Sequence, residues 1–181
     1  MENKIKPRRC KTCQIVFTPL RQLQCVCGYE CAKVHADKLK ANKAKQERKI
    51  LKEKLKTLSE YEADAKKSFQ RFIRFRDKDL PCISCGNENP TDWAGGHFYS
   101  AGMYSGFIFD ERNCHKQCNT HCNKHLSGNL LEYRKGLIKR YGNDFVNELD
   151  NVSDSKRDYK YTKAELIAKK LQYDIKYNEI K

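Results

Sequence analysis

The chain has 181 residues, with 37 Lys and Arg against 23 Asp and Glu, a formal net charge of +14, 39% hydrophobic residues and 10 cysteines. No run approaches the roughly 20 apolar residues of a membrane span, and the opening MENKIKPRRC has no apolar stretch like a signal peptide, so we expect a soluble protein of the cytoplasm without a membrane partner. In that reducing compartment, short-spaced cysteine pairs point to metal ligands, the thin apolar content to small metal-held modules, and the basic excess to a polyanionic partner.

In chain order, residues 1–32 form a candidate zinc module in which five cysteines are interleaved with Phe17, Pro19 and Gly28. Cys10-x2-Cys13 followed by Cys27-x3-Cys31 has the spacing of a four-thiolate structural zinc site built from two short knuckles. Cys25 competes with Cys27 for the third place. Residues 33–60 are rich in Lys, Glu, Ala, Gln and Leu without Gly or Pro, which predicts a long basic helix. Its apolar residues are too sparse for a sustained coiled coil. Residues 1–60 carry 16 Lys and Arg against 6 Asp and Glu, +10 of the total charge. Lys38, Lys40, Lys43, Lys45, Arg48 and Lys49 on this helix are candidate DNA contacts; a solvated spacer between two modules explains them equally well.

From Tyr61 to Phe75, apolar Tyr61, Ala65, Phe69, Phe72, Ile73 and Phe75 recur at helical spacing, and Arg71 and Arg74 extend the candidate DNA-binding set. Residues 80–129 are turn-rich and hold five cysteines, four histidines and six of the nine glycines. Cys82-x2-Cys85 and Cys118-x3-Cys122 supply a second set of four soft ligands for a structural zinc. Cys114 lies outside both knuckles and reads as a buried, small apolar residue. Residues 130–141 form an amphipathic helix ended by Gly142, and Asn143 caps a short helix through Leu149. Residues 151–161 read as a loop. A Thr162-x-x-Glu165 capping box then opens a helix that places Leu166, Ile167, Leu171, Ile175 and Ile180 on one face. The partition is thus 1–32, 33–60, 61–141 and 142–181, the last a helical tail.

PCISCG, AGGHF, FDERNCHKQC, the following CN, and SGN ahead of Tyr133 resemble the NinG (Rap) family of lambdoid phages, recombination endonucleases that act on branched DNA. The order of N-terminal knuckle, Lys/Glu-rich helix, FIRFRDKDLPCISCG and C-terminal helices resembles that family over almost the whole chain. The centre is also similar to the wider HNH superfamily. The resemblance implies an α+β chain of small zinc-stabilised modules: a treble-clef-like N-terminal knuckle, the long helix, a central ββα-metal finger with structural zinc, and C-terminal helices. It implies His97 as general base, Asn113 as the residue that orients the His-bearing loop, and Asn123 as a helix-borne ligand of a catalytic Mg²⁺ or Mn²⁺ ion. His125 and His115 are further candidate ligands of that ion. The sequence departs from the pattern in two places. Ala94, Gly95 and Gly96 precede His97 where some relatives carry a carboxylate, leaving Asp92 as the nearest acid, and the x3 spacing of Cys118 to Cys122 is one residue longer than usual.

The activity implied is metal-dependent cleavage of Holliday junctions or D-loops in the host cytoplasm. The partners implied are branched DNA, a second copy of the chain joined through the basic helix, and other recombination proteins. The rival reading is a non-catalytic, zinc-containing protein that binds DNA architecturally.

Overall fold

The computed structural model describes residues 6–181, so residues 1–5 of the expected N-terminal module lie outside the described residues. The chain divides into two compact units, Met1–Lys56 and Thr57–Lys181. No helix among the described residues is long and apolar enough to cross a membrane.

In the first unit, β1 (Arg8–Arg9) pairs antiparallel with β2 (Val16–Phe17), with Arg8 opposite Phe17. The next element, α1 (Tyr29–Leu55), buries none of its residues, in keeping with its sparse apolar pattern. It differs from the expected 33–60 helix at both ends. It starts directly after Gly28, with Glu30 in the first turn where the helix dipole favours an acid. It stops at Leu55 because Thr57 opens a new helix: its hydroxyl accepts from the Glu60 N–H (3.3 Å), and the Glu60 carboxylate accepts from the Thr57 N–H (2.7 Å).

That new helix, α2 (Leu58–Arg76), begins the second unit and buries Tyr61, Ala65, Phe69, Phe72 and Ile73. Its partners include the last helix, α5 (Lys163–Ile180), so residues 142–181 are not a separate tail. The α5 face also differs from expectation. Leu166 and Tyr173 are buried, whereas Ile167, Leu171 and Ile175 are exposed, as is Ile180. Aromatic pairing decides the face: the Tyr173 ring meets Phe69 (4.7 Å) and Phe72 (5.5 Å), and Tyr177 meets Phe75 (5.3 Å).

Between these helices lies a two-stranded antiparallel ribbon, β3 (Trp93–His97) and β4 (Cys114–Cys118), in the register Trp93 opposite Cys118 and His97 opposite Cys114. A π-helical turn, Asn119–His125, follows β4 and leads to α3 (Leu130–Tyr141) and α4 (Asn143–Val152). The N-cap of α4 is Gly142 rather than Asn143, and the helix runs three residues beyond Leu149. Tyr133, Leu137, Val146 and Leu149 form a second core with Ile83, Phe98 and Phe107.

The free edge of β4 is closed by side chains and by the chain preceding β3. Arg76 donates to the carbonyls of Glu111 (3.0 Å) and Cys114 (2.9 Å). Asp77, 2% exposed, accepts from Arg76 (2.6 and 2.9 Å) and from the Lys116 N–H (3.0 Å). Burial opposes the Asp77 charge, but Arg76 and that N–H hold the carboxyl below its ordinary value. Ile83 N–H donates to the Lys116 carbonyl (3.1 Å), and Cys118 N–H to the Cys82 sulfur (3.3 Å).

Two glycines are required by close approach. A Cβ on Gly96 would fall 2.1 Å from the Gln117 amide oxygen, and one on Gly136 would fall 1.9 Å from the Ile83 carbonyl oxygen. α3 therefore rests directly on the backbone of the Cys82–Cys85 knuckle. Gly136→Ala should lower the unfolding free energy by about 3 kcal/mol in urea denaturation. Gly102→Ala, where a Cβ meets open space, should stay within about 0.5 kcal/mol of the parent.

Candidate functional site

Two groups of four cysteines come together, Cys10, Cys13, Cys27 and Cys31 in the first unit and Cys82, Cys85, Cys118 and Cys122 in the second, each with its sulfurs within 4.8 Å of one another. The donor geometry fits zinc. Four sulfurs about 2.3 Å from one ion define a tetrahedron with edges of about 3.8 Å. The recorded Sγ separations are 3.6 Å for Cys13 and Cys27, 3.5 Å for Cys27 and Cys31, 3.9 Å for Cys82 and Cys122, and 3.6 Å for Cys85 and Cys118. Both groups can hold a metal ion such as zinc.

Cys25 stands outside the first group because its backbone is used differently: its carbonyl accepts from Lys11 N–H (2.9 Å), while Cys27 N–H points to the Cys10 sulfur (3.4 Å). Burial disfavours the Cys10 thiolate, yet N–H groups of Cys13, Thr12 and Cys27 bring its pKa down to about 6. Cys31, hydrogen-bonded by Cys27, is pushed up to about 12. The second group behaves alike. Burial of Cys82 is outweighed by N–H groups of Cys85, Cys118 and Ser84, which lower its pKa, and burial pushes Cys122 up to about 12. The N–H groups thus favour the thiolate form at Cys10 and at Cys82, and four thiolates so close together would need a cation.

In the second unit the metal group joins the knuckle, the end of β4 and the π-helical turn. Asn129 adds an N–H···S contact to Cys122 (3.8 Å). Cys114 is fully buried in the aromatic core, and burial pushes its thiol far up.

His97 is half-buried at the end of β3, with its ring centroid 6.1 Å from that of Phe69. Its Nε2 lies 3.0 Å from the Ile108 carbonyl, which can only accept, so Nε2 carries the proton and Nδ1 is the basic nitrogen. Burial is the main cause that depresses its pKa, with Lys66 adding to it, and the imidazole is neutral at neutral pH. Its backbone is fixed on both sides. Tyr133 OH donates to the Gly96 carbonyl (2.8 Å). Asn113, fully buried, accepts from the Tyr99 N–H (2.7 Å), donates to the Tyr99 carbonyl (2.9 Å), and accepts from Phe98 N–H through its own carbonyl (2.9 Å). Asn113 therefore buckles the loop that follows His97.

Two of the remaining candidates have partners of their own. His115 alternates to the other face of the ribbon, is 1% exposed, and has Nδ1 3.2 Å from Tyr133 OH; burial lowers its pKa to about 3. It cannot share an ion with His97. Asn123 lies in the π-helical turn with its Nδ2 3.5 Å from the Asn119 amide oxygen, and His125 is exposed beside a cleft with Asp92, Thr120 and His121. The Asp92 carboxylate caps that turn, accepting from Asn119 Nδ2 (2.7 Å), Thr120 N–H (3.1 Å) and Thr120 Oγ1 (3.0 Å). Among the described residues, no third group of three His, Cys, Asp or Glu forms beside the two cysteine groups.

Of the cationic candidates, Lys38, Lys40, Lys43, Lys45, Arg48 and Lys49 are exposed on α1. Arg71 differs: it pairs with Asp174 (2.8 Å) and lies over the Tyr177 ring (4.3 Å), so it fastens α2 to α5. Arg74 has no such anchor and lines a cationic pocket with Lys78, Trp93 and Lys116. Sequence reasoning missed Lys116 and Asp77. The one available signal for Lys116 was a lone cation between the cysteines of CHKQC.

The family model described as Bacteriophage Lambda NinG protein matches residues 2–181. The protein called Protein ninG of Salmonella phage P22 is 38% identical, over 96% of this chain and 94% of its own. Its namesakes from Escherichia phage 933W and Escherichia phage lambda are each 35% identical over 96% of this chain, and over 94% and 93% of their own. No solved structure matches the chain.

Assignment of the first metal group can be checked by metal stoichiometry. Cys25→Ser should retain the parent zinc content, whereas Cys27→Ser should lose one equivalent, measured by atomic emission on the purified full-length chain.

Proposed function

The chain belongs to the NinG family of bacteriophage proteins, and from that premise we propose that it cleaves DNA strands in phage recombination with His97 as general base. The observation that carries this reading is the state of His97: a half-buried, neutral imidazole whose Nε2 is fixed on a carbonyl, which leaves Nδ1 as the basic nitrogen. In the proposed step, Nδ1 takes a proton from water, the oxygen attacks the phosphorus, and the P–O bond to the leaving sugar oxygen breaks. Asn113 and Tyr133 position His97 by fixing the backbone around it.

Branched DNA is the proposed substrate because the AGGHF and FDERNCHKQC motifs resemble those of endonucleases acting on junctions. The net charge of +14 supports phosphate contacts, which read shape rather than sequence. The zinc groups serve as frame. No step is assigned to a hard cation.

A second reading, DNA binding without cleavage, is favoured by Ala94, Gly95 and Gly96 standing directly before His97, where some relatives carry a carboxylate. A labelled four-way junction and matched linear duplex, incubated with Mg²⁺, with Mn²⁺ and with neither, separate the two. The nuclease predicts junction cutting that is lost in His97→Ala, with zinc content and DNA binding unchanged; binding without cutting under every condition supports the second reading.

The pH dependence supplies a further test. Protonation removes the base, and folding holds the His97 pKa below its ordinary 6.5. The cutting rate should therefore fall as pH drops through that depressed value, and the acid limb of the single-turnover profile should lie below pH 6.5. An acid limb above pH 6.5 would assign the proton transfer to another group.

A further inference from the structure

We propose that the pocket at the start of β3, lined by Arg74, Lys78, Trp93 and Lys116, seats a phosphate of a DNA backbone. This rests on the DNA-acting reading above and adds a subsite to it. The pocket has a volume of about 430 Å³, and its lining brings three cations and no carboxylate.

Lys116 is the unusual member. It is 4% exposed, and its Nζ donates to the Lys78 carbonyl (2.7 Å) and lies 4.1 Å from the centre of the Trp93 ring. An ammonium has three N–H donors, and a lysine this buried ordinarily has an anionic partner. Asp77 and Asp79 are near enough to favour the Lys116 charge, but neither accepts a hydrogen bond from its Nζ, and the two Asp77 oxygens accept from Arg76 and from the Lys116 backbone. Lys78 lies over the Phe75 ring (4.7 Å) rather than against an acid, and Arg74 is half-buried at the end of α2. The positive field is reinforced by Arg140, whose Nη1 is buried without an acceptor while its Nη2 donates to the Pro81 carbonyl.

An Arg fork beside two Lys point charges matches the oxygens of a phosphate diester. Trp93 gives the floor, wedged between Lys116 and the sulfurs of Cys82, Cys118 and Cys122. The seat lies four residues from His97 along β3, roughly 13 Å at ~3.3 Å per residue, so it would hold a different phosphate from the one His97 attends. The rival role for these cations is to balance the charge of the neighbouring thiolates.

Trp93 is the only tryptophan, so its emission, excited where tyrosine does not absorb, reports on this pocket without a label. The test is a titration of the zinc-loaded full-length chain with a four-way junction and a linear duplex over a range of salt concentrations. The parent is compared with Arg74→Gln/Lys78→Gln and with Lys78→Glu alone, an exposed position at the rim. A change in Trp93 emission on DNA addition is expected in the parent. The double variant should bind several-fold more weakly, with a plot of log affinity against log salt shallower by about 1, and should keep its zinc. Lys78→Glu should also weaken binding. Unchanged affinity and salt slope in both variants overturns the proposal, and so does loss of zinc from them, which assigns the cations to the thiolates. No DNA binding by the parent at any salt retires the DNA-acting reading itself, whereas normal binding and His97-dependent cutting in the variants retires only the pocket.

Discussion

A ribbon of two strands does not stand alone in water, because each strand leaves one edge of backbone groups unpaired. The second unit depends on how the outer edge of β4 is closed. Four consecutive outward groups find four different partners: the Arg76 guanidinium, the Asp77 carboxylate, the Ile83 N–H and the Cys82 sulfur. The first two come from the end of α2 and the last two from the metal knuckle. One strand edge thus fixes both the helix and the knuckle, and no third strand is needed. The buried ion pair does more to set this register than to add net stability, since desolvation of both charges opposes their attraction.

That closure also sets the position of His97. With β4 held at its outer edge, the register places His97 opposite Cys114 on the face that meets α2, and His115 on the face that meets Tyr133. The two histidines are close in the ribbon and chemically apart. One is half-buried with a free ring nitrogen, and the other is a core residue whose charged form burial disfavours. Tyr133 links the two faces, since its hydroxyl donates to the Gly96 carbonyl and approaches the His115 ring.

The cysteine pairs were legible in the sequence because knuckle spacing is local: two or three intervening residues bring each pair of sulfurs to one side of a turn. The choice between Cys25 and Cys27 was not, since it turns on a backbone bond from Lys11, fourteen residues upstream of Cys25. The α5 face was misread for a different reason. Hydropathy ranks Ile167, Leu171 and Ile175 above the tyrosines, but the surface offered by Phe69, Phe72 and Phe75 is aromatic, and ring pairing brought Tyr173 and Tyr177 inward. The break after Leu55 was written as Thr57-x-x-Glu60, a capping box hidden in a stretch whose composition favours helix throughout. The fate of His115 could not be read at all, because alternation along a strand becomes informative only once its two neighbours are known.

The pairing of α2 with α5 has a consequence for synthesis. Arg71 and Asp174 stand 103 residues apart in sequence, and the Tyr173 ring closes over Phe69 and Phe72. On the ribosome, α2 emerges with its aromatic face uncovered and waits for the 103 residues that separate Arg71 from Asp174 before its cover is made. The thiols of Cys82 and Cys85 wait likewise for Cys118 and Cys122. The nascent chain therefore passes through a long interval of exposed aromatic surface and unpaired cysteine ligands, and the exposed, highly charged α1 is already made when that interval begins.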